Sequence, residues 1–325
     1  MIKTYPNIRE FSGNCSGGRN EISTQAGGSL DTLAQLRKPL DKRASSKYFT
    51  NKLAIALADR KGELEQYYRN AFYCNHVLTQ AGEKITGKYC KTRICNTCNR
   101  IRMANLIEGY SPILEKYTDL QFVTLTIPNV SASELKSSIS LMGKSFVKLL
   151  DRFRKRGIRP NGLRKLEITY NARRKDYHPH YHLIVSNKDV AQMIVAEWIK
   201  HNPAADIKAQ NIRVVTSGSY KELFKYAAKV VTKINGKQVI ILDAVDTIIQ
   251  SLYSRRIIQP FGDIRKQIAE DIEDIDELQS DLYDIPYYEL MSWTWRGEDW
   301  VNEYGECLTG YTPSDIIRNL VIDSG

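Results

Sequence analysis

The stretch Tyr177-His178-Pro179-His180-Tyr181-His182-Leu183-Ile184-Val185 constrains this chain more than any other. Leu183 to Val185 are apolar and partly β-branched, which predicts a buried strand entered through a proline break. On a strand, residues two apart share a face. His180 and His182 then project side by side, with Tyr181 on the opposite face. Two convergent imidazoles make half of a divalent-metal site. Three of the five histidines in 325 residues fall within these positions.

A second cluster lies upstream. Cys74, Cys90, Cys95 and Cys98 follow the pattern C-x15-C-x4-C-x2-C. Four thiolates suffice for a closed tetrahedral zinc site, with His76 as an alternative fourth ligand. The segment 72–100 is too polar to build its own core, so zinc would act as a staple. Phe72–Thr79 and Lys84–Tyr89 read as two short strands around a turn at Gln80-Ala81-Gly82, with Cys74 on the first. Lys88, Lys91, Arg93, Arg100 and Arg102 surround the cysteines, so the knuckle can also reach phosphates.

Charge is divided unevenly. Residues 261–325 carry 4 Lys/Arg against 16 Asp/Glu, net −12, and residues 1–260 carry 43 against 21, net +22. A body this basic suits a polyanion, most simply nucleic acid. No run of 18 apolar residues exists, and Met1 to Asn20 lack the apolar core of a signal peptide. With a C-x-x-C pair and no secretion signal, the expectation is a reducing, cytoplasmic compartment and metal-bound thiols.

The chain divides in sequence into four stretches. Residues 1–31, rich in Gly, Ser, Asn and Thr, read as a disordered or extended arm. Residues 32–118 read as a basic helical region containing the knuckle. Residues 119–260 alternate strands and helices. Residues 261–325 hold an acidic segment and an aromatic subdomain with Trp293, Trp295 and Trp300, for which core packing is preferred over a base-stacking platform. In the third stretch, Gln121–Pro128 reads as a strand, Ser133–Arg156 as a basic amphipathic helix and Leu163–Tyr170 as a strand containing Glu167. Lys188–His201 reads as a helix, Ile212–Thr216 as a strand and Tyr220 to about Lys233 as a helix. On that last helix Glu222, Tyr226 and Lys229 are spaced to share one face. Gly143-Lys144-Ser145 is no phosphate loop, because position 138 is Ser and the surroundings are helical.

This order resembles the three motifs of HUH endonucleases: a strand Phe122–Asn129, then His180-Tyr181-His182, then Glu222 through Tyr226 to Lys229. It is most similar to the rolling-circle replication initiators of small bacterial plasmids, over roughly residues 72–260. The resemblance implies an α+β fold, with an antiparallel central sheet flanked by helices and the histidine strand at its centre. It implies that Tyr226 attacks a phosphodiester of single-stranded or hairpin DNA at a replication origin. A 5′-phosphotyrosyl link would form, and the freed 3′-OH would prime synthesis. Glu222 matches the carboxylate that activates water at termination, and Glu167 the third metal ligand beside His180 and His182.

Physical chemistry agrees with those roles. A tyrosine of pKa about 10 is ionised about once in a thousand at neutral pH, and Lys229 would favour the phenolate. Two His and one Glu suit Mn²⁺ or Mg²⁺, with His tilting toward Mn²⁺. Tyr220 is the competing nucleophile, but no glutamate stands four residues before it. Without a phosphate loop, a host helicase and DNA polymerase are implied as partners. Two other readings are a single-tyrosine HUH transposase and a non-catalytic zinc-dependent DNA-binding regulator. The second leaves His180, His182 and Tyr226 unexplained.

Overall fold

The computed structural model describes residues 30–82, 84–225, 231–234, 236–266 and 290–324. In chain order the helices are α1 (Leu30–Ala58), α2 (Glu65–Tyr73), α3 (Asn96–Leu114), α4 (Ala132–Lys155), α5 (Lys188–His201), α6 (Ser217–Phe224), α7 (Leu242–Leu252) and α8 (Asp315–Arg318). The first six strands are β1 (Val77–Ala81), β2 (Lys84–Gly87), β3 (Gln121–Thr126), β4 (Gly162–Asn171), β5 (Asp176–Val185) and β6 (Asn211–Val214). They are followed by β7 (Val231–Ile234), β8 (Lys237–Ile241), β9 (Ile258–Phe261), β10 (Leu290–Trp295), β11 (Trp300–Val301) and β12 (Val321–Asp323). The protein is α+β, with antiparallel sheets flanked by helices. Within the described residues the one parallel pairing is β8 with β12. The chain falls into two units, Met1–Ile101 with Asp274–Leu320, and Arg102–Glu273 with Val321–Gly325.

In the second unit, β6-β3-β5-β4-β9 form a five-stranded sheet, antiparallel throughout, with the histidine strand β5 in the middle. Helix α4 has a capping box at Ser131, whose N–H donates to Glu134 at 3.0 Å. It buries Leu135, Ile139, Met142, Phe146, Leu149 and Phe153, a stripe at spacings of three and four. That stripe and α5 cover one face of the sheet: Tyr181 meets Phe146 and Trp198 edge-on, each with ring centroids 5.9 Å apart. The Trp198 indole N–H donates to the carbonyl of Thr126 at 2.9 Å, pinning α5 to β3. Gly162 begins β4 because a Cβ there would lie 2.2 Å from the carbonyl oxygen of Ile184.

In the first unit, β11-β10-β1-β2 form a four-stranded antiparallel sheet. Trp293, Trp295 and Trp300 are buried with Leu78 and Ala44. The aromatic segment is therefore core, and these three indoles are not available as a stacking platform.

Two local expectations are overturned. Phe72 and Tyr73 end α2 instead of starting a strand, and Cys74 is the C-cap of that helix. Buried Tyr68, Ala71 and Phe72 carry an apolar helix face that decides the local structure. The helix expected over Tyr220 to about Lys233 ends at Phe224. Lys225 is extended, with φ −60° and ψ 171°, and Val231–Ile234 is a strand paired with β8. The run Val231-Thr232 followed by Ile234 favours a strand, and Gly236 turns the hairpin at φ 79°. The helical reading is therefore overturned at Lys225. Tyr226 and Lys229 lie outside the described residues, as do most of the N-terminal arm and the acidic segment.

Candidate metal centres

The pairing of β3, β4 and β5 builds the first centre. Glu167 is the cross-strand partner of His180, and Lys165 of His182. On the other side Thr126 partners His180 and Thr124 partners His182. Paired residues share a face, so all six point away from Tyr181. The Nε2 atoms of His180 and His182 lie 3.2 Å apart, and Glu167 Oε2 is 3.7 Å from His182 Nε2. One ligand atom from each of the three falls within 4.8 Å of the others, and all three residues are buried. Two nitrogens about 2.1 Å from one ion are separated by about 3.0 Å at a right angle and about 3.4 Å at a tetrahedral one. The observed separation suits a single shared ion.

The hydrogen bonds favour the same use. His180 Nδ1 is 3.1 Å from the carbonyl of His178, which can only accept, so Nδ1 carries the proton and Nε2 the lone pair. Thr124 Oγ1 holds Nδ1 of His182 at 3.3 Å. Burial pushes His182 down to about 3, helped by the neighbouring His180, and burial also pushes His180 down. Burial alone would raise Glu167, but the charge and hydrogen bond of Lys165 outweigh it and hold the carboxyl below its usual range. Neutral imidazoles beside an ionised carboxylate are the protonation states a metal needs.

Lys165 is a residue that sequence reading missed. Its side chain is fully buried, and its Nζ donates to Glu167 Oε2 at 2.7 Å and to the carbonyl of Glu222 at 3.3 Å. It ties the ligand strand to α6, whose Leu223 and Phe224 are buried and whose Phe224 stacks on Tyr110 at 6.0 Å. Burial lowers the Lys165 amine and Glu167 partly restores it. In the sequence its one link to the site is its place two residues before Glu167 on the same strand. Lys225, the residue before Tyr226, reaches within 3.9 Å of Glu167. Glu222 is half-buried and bound by Arg213 at 2.6 Å. Tyr220 packs against the core, and burial, then Glu115, raises its phenol. His178 stays out of the cluster. Its Nδ1 meets Asn129 Oδ1 at 2.9 Å.

The second centre lies in the first unit. Cys74, Cys90, Cys95 and Cys98 bring four sulfurs together. Sγ of Cys98 lies 3.6 Å from that of Cys74 and 3.7 Å from that of Cys90. A tetrahedral ion with sulfur bonds of about 2.3 Å spaces its ligands by about 3.8 Å, so the set fits zinc. Cys95 and Cys98 flank the start of α3, where the helix end favours thiolates. The N–H groups of Cys90 and Thr92 point at Cys74 and Cys90 Sγ, each at 3.4 Å. His76 is not in the set; its ring rests against Tyr73 and Phe72. Lys47 is buried alongside, donating to the carbonyl of Phe72. Burial pushes its amine down to about 8, against the upward pull of the four cysteines.

No described helix is long and apolar enough to cross a membrane. No solved structure matches the chain. Among curated proteins, it is 29% identical over 184 residues to a protein rep of Staphylococcus aureus, covering 48% of this chain and 79% of that one. It is 26% identical over 298 residues to a protein rep of Bacillus amyloliquefaciens, covering 78% and 82%. A third protein rep, from Streptococcus pneumoniae, is 27% identical over 215 residues, and the match spans 63% of its length. The model of the replication protein family matches residues 83–299, more than half of the chain, so this chain belongs to the replication protein family.

Proposed function

We propose that the chain is a plasmid rolling-circle initiator that nicks and rejoins single-stranded or hairpin DNA at an origin. The observation that carries this reading is the convergence of His180, His182 and Glu167 on the central strands of the sheet, in a chain of this family. These three residues would hold Mn²⁺ or Mg²⁺. Bound there, the cation would polarise a non-bridging phosphate oxygen and offset charge in the transition state.

The remaining roles belong to the chain. Tyr226 Oη attacks the phosphorus and the P–O3′ bond breaks. The 5′-phosphate stays on the tyrosine, and the 3′-oxygen leaves and takes up a proton. Lys229 favours the phenolate. The freed 3′-OH primes a host polymerase behind a host helicase. Glu222, oriented by Arg213, takes a proton from water for a second, hydrolytic cleavage that ends a round. Lys165 holds Glu167 in place and ties it to the segment leading to Tyr226. Zinc on the four cysteines would be structural.

The test uses Tyr226→Phe and Glu222→Ala with single-stranded origin DNA and Mn²⁺. Tyr226→Phe should form no covalent adduct. Glu222→Ala should form the adduct and, in a host extract that supplies helicase and polymerase, accumulate multimeric single strands, because termination fails. Loss of the first cleavage in folded, metal-binding Glu222→Ala would refute this division of labour.

A further inference from the structure

Beside the histidine centre, the end of the β4–β5 hairpin opens on a cavity of about 650 Å³. Its walls differ in kind. One is apolar, with Val245 and Ile248 of α7. Tyr170 and His178 also line the cavity, and the rim carries Arg173 and Lys233. Asn171 Oδ1 accepts from the N–H groups of Arg173 and Arg174 at 3.0 and 3.1 Å, and Lys175 turns the chain at φ 53°, so the cationic tip is held in shape. The His178 ring stacks on His180, with centroids 5.1 Å apart and planes 27° from parallel. The cavity therefore abuts a metal ligand.

The tautomer of His178 follows from its partners. Asn129 Nδ2 donates to the Asp176 carboxylate at 2.7 Å, which can only accept. Asn129 Oδ1 thus faces His178 and accepts from Nδ1–H. Nε2 of His178 is then an acceptor, matched to the N–H donors of a base edge. Size, aromatic rings, an apolar wall and a fixed cationic rim suit one unstacked nucleotide.

We propose that this cavity seats one unpaired nucleotide of the bound strand, next to the phosphate presented to His180 and His182. The inference rests on the reading above, that the site handles single-stranded DNA. The base sits in the cavity with its edge on His178 Nε2, and its flanking phosphates lie against Arg173 and Lys233.

The test is fluorescence anisotropy at low salt with a labelled ten-residue oligodeoxyadenylate and with the same backbone made abasic. Wild type should bind the base-bearing strand about tenfold more tightly, the worth of one stacked base. Thr169 lines the cavity as the cross-strand partner of His178, so Thr169→Trp adds bulk there on a strand that tolerates an aromatic. It should bind both strands at the weaker, abasic level, with unchanged circular dichroism and Mn²⁺ uptake. Arg173→Glu, at the exposed hairpin tip, should weaken both strands together. Equal wild-type binding of the two strands, or wild-type discrimination in folded Thr169→Trp, overturns the proposal. Base-dependent binding lost in Thr169→Trp, with no covalent adduct in wild type, would uphold the nucleotide seat and refute nicking.

Discussion

The two candidate metal clusters differ in kind with similar burial. The cysteine cluster offers four soft ligands from a short stretch of chain, closing the coordination shell. The histidine cluster offers three, from two paired strands, and leaves positions open. Each has a buried lysine nearby, but the lysines act differently. Lys47 binds a backbone carbonyl beside the sulfurs, whereas Lys165 binds the ligand carboxylate itself. A closed shell can only hold a fold together. An open shell, with its carboxylate already oriented, can admit a phosphate.

The largest effect that would sharpen this contrast is removal of zinc. Structural zinc contributes about 10–16 kcal/mol in small domains. Cys98→Ala, or a thiol-reactive agent, should release about one zinc per chain and redshift the emission of Trp293, Trp295 and Trp300, which form the core of that unit. Zinc-free protein, prepared without chelators and with buried tryptophans, would refute a structural ion.

Next comes Lys165→Met. Leaving Glu167 buried without its partner should cost about 3–5 kcal/mol in urea unfolding. Loss below about 1 kcal/mol would mean that Lys165 does not hold the carboxylate.

Acid should act on the histidine cluster in the same direction. His182 and His180 are held neutral when folded, His182 with a pKa of about 3, while unfolded histidine titrates near 6.5. The contribution of His182 is full above 6.5 and is lost as pH falls from there toward 3, at about 1.4 kcal/mol per unit, and His180 adds a loss of the same sign. Glu167, also depressed, adds to the acid loss at lower pH. Urea midpoints measured from pH 7 to 4.5 should fall less steeply in His182→Gln.

The smallest effect is Arg213→Ala. It breaks a half-exposed pair with Glu222 and should cost under about 1 kcal/mol. A larger loss would show that Arg213 also braces Phe122, over which its guanidinium lies at 4.2 Å.

The ligands were legible because their spacing is local. Strand alternation put His180 and His182 on one face, and C-x-x-C marked Cys95 and Cys98. Glu167 came from the family resemblance, and strand pairing brought it opposite His180. Lys165 and Lys47 were not legible. In sequence a lysine reads as a solvated charge, and only tertiary packing buries it. The end of α6 at Phe224 was not legible because strand pairing of Val231–Ile234 with β8 is a non-local choice. Arg213 and Glu222 are joined across a turn that their spacing does not predict.

On the function proposed above, the open cluster does the chemistry and the closed one holds the fold. The most direct test is a denaturing gel for the covalent protein–DNA adduct in His182→Ala, with zinc content measured on the same sample. Expected are an unchanged content of about one zinc per chain, retained DNA binding and no adduct. Full adduct formation by His182→Ala, or by wild type in EDTA with its zinc retained, would overturn that division of roles.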